Sequence, residues 1–414
     1  MINKKLKVGN VPNLRFPEFA EEWETKKLGE ILEFKNGINA TKEQYGSGYK
    51  FINVLDILNN EFITHDKIIG SVNVNEEIID KFPVNYGDIL FQRSSETREE
   101  VGTTSVYLDK DKTATFGGFV IRGKKNGEYE PIFLNKSLKT DLVRNQITSK
   151  SGGSTRYNIG QEILASVTLY FPSLNEQTKI ASFLSLIDSR IQTQNKIIEE
   201  LKLLKITISM KLFSRQLRFK NENNENYIDW NTKKLGEVTT LVNKRNKNNE
   251  KLPVYSINNK LGFVPQSEQF EGVDSEDRGY DIKLYKIIDK NTFAYNPARI
   301  NVGSIGYSEN LENIIISSLY VCFKTDNTVN DNFLYQYLKT DFFNREVLRN
   351  VEGGVRDYLF YDNFARIKFG LPCIEEQKKI ADYLSSIDSK IDIESQLLHK
   401  FEKQKRYLLA NLFI

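Results

Sequence analysis

The sequence predicts an α+β protein built twice over: two mixed α/β, β-rich globules, each followed by a long helix, with the two helices pairing as a coiled coil. Three observations carry that expectation. Residues 23–30 read WETKKLGE and residues 230–237 read WNTKKLGE, a single difference in eight letters. Residues 172–193 (PSLNEQTKIASFLSLIDSRIQT) and 372–393 (PCIEEQKKIADYLSSIDSKIDI) lie 200 positions apart without a gap and agree at about a dozen of 22 places. Each of these longer segments also opens an apolar pattern with helical period. A repeat of this length is far too long for a solenoid unit and marks whole domains built on one plan.

Taken in order, the first globule occupies residues 1–172. Leu14-Arg15-Phe16 leads to Trp23 and the first Lys-Lys-Leu-Gly-Glu phrase. Residues 31–171 are rich in Tyr, Phe, Ile, Val and Thr and broken by Gly, Asn and Pro. Short alternating runs such as GDILFQRS read as strands, with shorter helices such as PIFLNKSLKTDLVRNQI between them. The first long helix, residues 173–215, begins after Pro172, where Ser173-x-x-Glu176 fits a capping box. The second globule, residues 216–372, repeats the plan. Leu217-Arg218-Phe219 precedes Trp230, with a polar NENNENYID insertion between them that reads as an exposed linker. The second long helix, residues 373–414, keeps Glu376 but has Cys373 at the cap position.

Along the helices apolar residues recur in steps of four and three. The first seam is Ile180, Leu184, Ile187, Ile191, Ile198 and Leu201, continuing to Ile208 and Leu212. The second is Ile380, Leu384, Ile387, Ile391, Leu398 and Phe401, continuing to Leu408 and Leu412. Gln194 and Lys205 interrupt the first seam, Glu394 and Lys405 the second. About five heptads of this pattern predict a two-helix coiled coil in which polar seam residues fix register. The competing reading is a stripe that packs only on its own globule.

Composition excludes several classes of chemistry. His65, His399, Cys322 and Cys373 are the only histidines and cysteines, so neither a C-x-x-C pair nor an H-E-x-x-H helix is present. Both cysteines sit among apolar neighbours and are expected to be buried and inert. No P-loop or G-x-G-x-x-G follows a strand. Tyr295-Asn296-Pro297 is similar to the Asn-Pro-Pro-aromatic loop of amino-methyltransferases, but Ala298 and Arg299 replace the second Pro and the stacking ring. No metal ligands, catalytic residues or cofactor site are therefore expected in this chain. The net charge of +3 neither requires nor forbids nucleic acid, which needs a local basic face. No apolar run approaches the roughly 18 residues of a membrane span, and the start lacks an apolar signal region, so a cytoplasmic chain without a membrane partner is expected.

Binding features are more informative. Each globule carries an aromatic-rich strand followed by a loop with Arg, Ser or Asn and Gly: FQRSSETREEVGTTS at 91–105 and YNPARINVGSIGYS at 295–308. Gln92, Arg93, Ser94, Ser95 and Arg98 in the first, and Arg299, Asn301 and Ser304 in the second, are side chains suited to base edges. Arg93 and Arg299 occupy related places in an approximate alignment. A solvated loop with Arg93 paired to Glu96, Glu99 or Glu100 fits as well. Each globule then ends in a double glycine, SGGSTRYNI and EGGVRDYLF, which supplies Ser154, Arg156, Tyr157, Arg356 and Tyr358 as strand contacts or forms a plain turn. Lys35, Asn36 and Lys42, with Lys244, Arg245 and Lys247, lie just after the two repeated phrases and suit phosphate contacts or soluble loops.

These features together, from Leu14-Arg15-Phe16-Pro17 and Trp23 to the duplicated Pro…Glu-Gln-x-x-Ile-Ala…Leu…Ile-Asp helix starts, make the whole chain resemble the specificity subunits of type I restriction-modification enzymes. The resemblance implies two target recognition domains, each reading half of a bipartite double-stranded DNA site, and two helices that pair antiparallel as a ruler. It implies a non-catalytic subunit with a pseudo-twofold internal repeat. Two methyltransferase (modification) subunits would bring S-adenosylmethionine and methylate adenine. Restriction/translocase subunits would use ATP and magnesium. Two other readings compete: a self-contained enzyme with a fused recognition module, and a non-DNA coiled-coil scaffold joining two binding domains.

Overall fold

A computed structural model describes residues 9–153, 155–269, 281–351 and 358–414. The chain divides into two compact units, one of Met1–Gln194 with Leu397–Ile414 and one of Asn195–Gln396. The long helices, Leu174–Phe213 and Ile374–Leu412, run 40 and 39 residues and each passes from one unit into the other.

The first unit is organised on a five-stranded sheet in the order Leu32–Asn36, Val120–Lys125, Ile89–Gln92, Thr104–Tyr107, Phe62–Ile63. All neighbours are antiparallel except the last pair. Strand side chains alternate between faces, and here both faces are covered. Ile89, Phe91, Val106 and Ile121 enter one core with Trp23, Phe133 and the long helices, while Leu90, Tyr107 and Val120 enter another with Ile52, Ile57 and Phe116. A second sheet aligns Ser71–Val72, Tyr45–Ile52 and Thr115–Phe116.

The second unit repeats the central sheet with four antiparallel strands, Thr239–Val242, Val321–Thr325, Phe293–Tyr295 and Ile305–Tyr307. Phe293, Tyr295 and Phe323 face the core that holds Trp230 and Phe333; Ala294 and Cys322 face the opposite one. Its second sheet differs from that of the first unit: Gly262–Pro265, Val254–Asn258, Ile314–Ile316, Lys286–Ile288. Cys322 is buried, and burial pushes its thiol up to about 12. Cys373 departs from the sequence reading: at the exposed start of its helix it is only half-buried.

The repeated phrase has a local explanation. Glu24–Lys27 and Asn231–Lys234 form short strands that pair antiparallel with Thr168–Phe171 and Lys368–Leu371, just before each long helix. One helical turn follows, with Leu28 and Leu235 fully buried. The glycine lies against the helix that precedes the exit strand: a Cβ on Gly29 would sit 3.0 Å from the Ala165 Cβ, and one on Gly236 2.7 Å from that of Ala365. The phrase thus clasps the start of each globule to its end.

The Glu-Gln pairs complete the clasp. Arg15 donates to both carboxylate oxygens of Glu176, each at 2.8 Å, and Arg218 does the same to Glu376 at 3.1 and 2.8 Å. Both carboxylates are buried, and a bidentate guanidinium is the partner that makes such burial tolerable. The capping box is correspondingly incomplete: Ser173 Oγ accepts from the Glu176 N–H at 3.4 Å, but the carboxylate goes to Arg15. Gln177 accepts from the Glu130 N–H and Gln377 from the Asn330 N–H, fixing the residues that cap helices Pro131–Ser137 and Asp331–Tyr337.

Within each unit the segments of the two long helices run antiparallel. In the first, Ile180, Leu184 and Ile187 share a core with Leu408 and Leu412, Asp188 bonds Lys405, and Arg190 lies over the Phe401 ring. In the second, Leu212 shares a core with Ile380 and Leu384, and Lys205 bonds Asp388. Of the seam residues, Ile180, Leu184, Ile187, Ile198, Ile380, Leu384 and Ile387 are buried; Ile191, Leu201, Ile391, Leu398 and Phe401 are half-buried. The same stripe serves both readings of it, since these cores contain globule and partner helix together.

Candidate nucleic-acid interface

Gln92, Arg93, Ser94, Ser95, Arg98, Arg156 and Tyr157 gather at one end of the five-stranded sheet of the first unit. After Gln92 the chain leaves the sheet and enters a short strand, Ser94–Ser95, which pairs antiparallel with Tyr157–Asn158. The two segments read separately in the sequence are therefore neighbours, and the Ile159 N–H donating to the Arg93 carbonyl continues the contact. The double glycine makes the hairpin possible: Gly152 bridges Asn158, and Gly153 takes a φ of +124° where an added Cβ would collide with the Arg156 carbonyl.

On this frame side chains separate into anchored and free. Gln92 is buried, with its amide donating to the Ser94 carbonyl. Ser95 is buried and donates to Glu100. Arg93 is half-buried and donates one guanidinium N–H to the Gly118 carbonyl at 3.2 Å, holding its fork at the sheet end. Ser94 is half-buried. Arg98 stacks over the half-buried Tyr157, 5.5 Å from the ring centroid. Arg156 meets Glu96 only at 3.9 Å with both side chains exposed, an ion pair of little strength. Three arginines thus share one surface.

The other basic stretch reaches the same end by its backbone. Gly37 donates to the Val120 carbonyl and Gly118 to that of Ile38, bringing Asn36 beside the 117–120 turn. Lys35 points elsewhere, donating to the Lys81 carbonyl and lying over the Phe82 ring. Lys42 is exposed on the one-turn helix Lys42–Gln44. Ser154 lies outside the described residues.

The second unit places its candidates in two strips. The loop after Phe293–Tyr295 is closed by Asn296 N–H to Ser304 carbonyl and Ser304 N–H to Arg299 carbonyl bonds, with Gly303 at φ +90°. Arg299 and Asn301 are exposed on it, whereas Ser304 turns inward and donates to the Ile257 carbonyl. The Leu359 N–H donates to the Pro297 carbonyl, so Tyr358, stacked on Phe360 at 5.6 Å and 5°, stands beside this loop. Arg356 lies outside the described residues. The second strip runs along Lys286–Ile288: Arg245 bridges Lys286, Lys244 pairs with Asp289 at 3.3 Å, and Lys247 is exposed.

Register gives a correction to the sequence alignment. Phe91 faces Ile121 and Tyr295 faces Val321 in equivalent strands, and Ile159 and Leu359 donate to Arg93 and Pro297 respectively. Pro297 therefore stands where Arg93 does. Arg299 falls two residues later because Asn296 opens a tight turn, its side chain accepting from the Ala298 N–H.

Two features escaped the sequence. The first is an exposed apolar tip, Phe119, on the turn that touches Arg93. The second is the partner set of the Ile-Asp motif. Asp188 accepts from Lys405 at 2.7 Å and from the buried Lys136, which also pairs with Glu61. Asp388 accepts from Lys205 at 2.6 Å and from Gln336, the counterpart of Lys136. Burial acts to raise the Glu61 carboxyl, but Lys139, Lys136 and Lys405 hold it at about 2. Burial lowers Lys205 despite Asp388 and the nearby Asp392, whereas at Lys405 burial is outweighed by Glu61 and Asp188, which raise the amine. The polar seam lysines are thus register pins.

Among the described residues no group of three His, Cys, Asp or Glu side chains is placed to hold a metal ion, and no helix is long and apolar enough to cross a membrane. The surfaces offer cationic and hydrogen-bonding groups on rigid turns, an arrangement for holding a polyanion.

Comparison with known proteins matches this architecture. The family described as "Type I restriction modification DNA specificity domain" matches twice, at residues 20–203 and 227–403. The type I restriction enzyme MjaVIII specificity subunit of Methanocaldococcus jannaschii is 27% identical over 416 residues, covering 96% of this chain and 92% of that protein. Among solved structures, the type I restriction-modification S subunit from M. genitalium superposes with a TM-score of 0.58 at 18% identity, over 98% of this chain and 99% of that one. A chain from a study of assembly and conformational transition in the type I R-M system gives 0.55 at 15% identity, over 94% and 97%.

Proposed function

The chain belongs to the type I restriction-modification DNA specificity family, and on that premise we propose that it is the non-catalytic specificity subunit of a complex that methylates and restricts DNA. Residues 1–172 and 216–372 act as recognition domains, each for one half of a bipartite duplex site. Residues 173–215 and 373–414, as paired helices, set the gap between the halves. Partner subunits supply the chemistry: two methyltransferase subunits with S-adenosylmethionine for adenine, and restriction/translocase subunits with ATP and magnesium. The complex works in the cytoplasm on double-stranded DNA.

One observation carries this reading. The clasp of Arg15 with Glu176 recurs as Arg218 with Glu376, and the central sheet recurs with it, whereas the exposed tips at the end of that sheet differ. A duplicated frame with unlike tips suits two readers of unlike sequences better than one symmetric binding surface. Arg93, Arg98, Arg156 and Tyr157 would contact DNA in the first domain, with Asn36 beside them. Arg299, Asn301, Arg245 and Lys247 would do so in the second.

Adenine-methylation mapping of cells with and without the gene tests it. A gapped motif methylated only when the gene is present is expected. Its absence in cells that also express the modification subunit would sink the proposal.

A further inference from the structure

At the end of the central sheet each unit displays an apolar side chain that the residues named so far do not account for. Phe119 is 65% exposed and Leu319 is 77% exposed, at positions 200 apart. Lone exposed apolar residues are common and carry little information. Here the backbone makes the case. Val120 donates to the Gly117 carbonyl at 2.9 Å and Tyr320 to the Ser317 carbonyl at 3.2 Å, so both tips ride on the same turn leading into equivalent strands. The frame is repeated while the tip residue changes.

Both turns are fixed and surrounded by donors. The 117–120 turn is held by Gly117 N–H to the Ile52 carbonyl and Gly118 N–H to that of Ile38. Arg93 binds it twice, through its N–H to the Phe119 carbonyl at 2.9 Å and through its guanidinium to the Gly118 carbonyl. In the second unit Pro297, lacking an N–H, cannot make the corresponding backbone bond. Lys286 supplies a cation instead, donating to the Tyr320 carbonyl at 2.6 Å beside Arg245.

An apolar tip carried on a turn that cations hold suits a surface that is anionic and hydrogen-bonding but offers isolated methyl groups. The major groove of DNA is such a surface: its one apolar feature is the C5-methyl of thymine. We propose that Phe119 and Leu319 are specificity-determining residues that each pack on a thymine methyl in the half-site their own unit reads. This rests on the reading of the chain as a DNA specificity subunit.

The test uses the assembled complex with its modification subunits and a duplex carrying the gapped site found by methylation mapping. Thymines of each half-site are replaced singly by uracil, which removes only the methyl. With wild-type protein, one uracil position in each half-site is expected to weaken binding about fourfold, the value of a buried carbon. Phe119→Ser should abolish that sensitivity at its own half-site and leave the other half-site unchanged. Phe119→Leu should keep it, because the sister turn already carries leucine. Leu319→Ser should mirror the result at the second half-site. Uracil substitutions without effect on wild-type binding, or a Phe119→Ser complex that still senses the methyl, would overturn the inference. The uracil arm needs no variant, so a misfolded mutant cannot mask the answer. A wild-type complex without any gapped site would instead remove the functional reading beneath it.

Discussion

Replacing Asp188 by Asn probes the pin between the helices most sharply. The carboxylate is buried and accepts from Lys405 and from Lys136, whose side chain is 2% exposed. Asn keeps the shape and removes the charge, leaving Lys136 and Lys405 to share Glu61 with Lys139. Breaking a buried pair in this way costs about 3–5 kcal/mol; because Lys405 retains partial access to water, about 2–4 kcal/mol is the expected loss. Urea unfolding reads it unit by unit, since Trp23 lies in the core of the first unit and Trp230 in that of the second. With Trp230 replaced by Phe, the Trp23 transition should move down by about 1–2 M urea for an m-value of roughly 2 kcal/mol/M. With Trp23 replaced instead, the Trp230 transition should move far less. Lys136→Gln should be milder than Lys136→Ala, because Gln336 already bonds Asp388 in the second unit. An Asp188→Asn protein whose Trp23 midpoint is unchanged, or in which both midpoints fall equally, would refute the pin.

Other outcomes follow from the same contacts. Glu61 is held at about 2 in the folded chain, below its ordinary 4.5; its contribution is present above that ordinary value and is lost as pH falls toward 2, so the Trp23 transition should weaken across that window in an acid series. Gly236→Ala should lower the melting temperature more than Gly29→Ala, at a cost of about 1–3 kcal/mol for the tighter site, because its Cβ meets Ala365 at 2.7 Å. Arg218→Ala strands the buried Glu376 carboxylate and should destabilise the second unit by about 2–4 kcal/mol, read by the Trp230 transition. Arg156→Ala should leave folding unchanged and reduce the slope of log binding constant against log salt by about 0.9 if the residue meets a phosphate; an unchanged slope and affinity would exclude it from the interface.

The sequence revealed what is local or duplicated. Helical period and the 200-residue offset made the long helices and the repeat legible, because each depends on neighbours a few residues apart or on comparison of one half with the other. Pairings across long separations were not legible. Arg15 and Glu176 stand 161 residues apart, and nothing in either repeated segment marks the other as its partner. Within the repeated phrase the glycine has the tightest structural role, set by Ala165 and Ala365, which no local pattern shows. Strand register corrected the equivalence of Arg93 and Arg299, since a two-residue displacement at a turn leaves no trace in composition. Phe119 was hidden because a lone Phe after two glycines reads as core until its exposure is known. Ser95 and Ser304 carry suitable groups, but only their hydrogen bonds reveal that those groups are occupied within the protein, and Gln92 is withdrawn from the surface by burial.

The most direct measurement is methylation mapping of a chimera in which residues 216–372 are replaced by the matching segment of a relative with a different target. If each globule reads its own half-site and the helices set the spacing, one half of the methylated motif should change while the other half and the gap stay as they were. Loss of both halves together, or a changed gap with both halves kept, would contradict the assignment of one globule to one half-site.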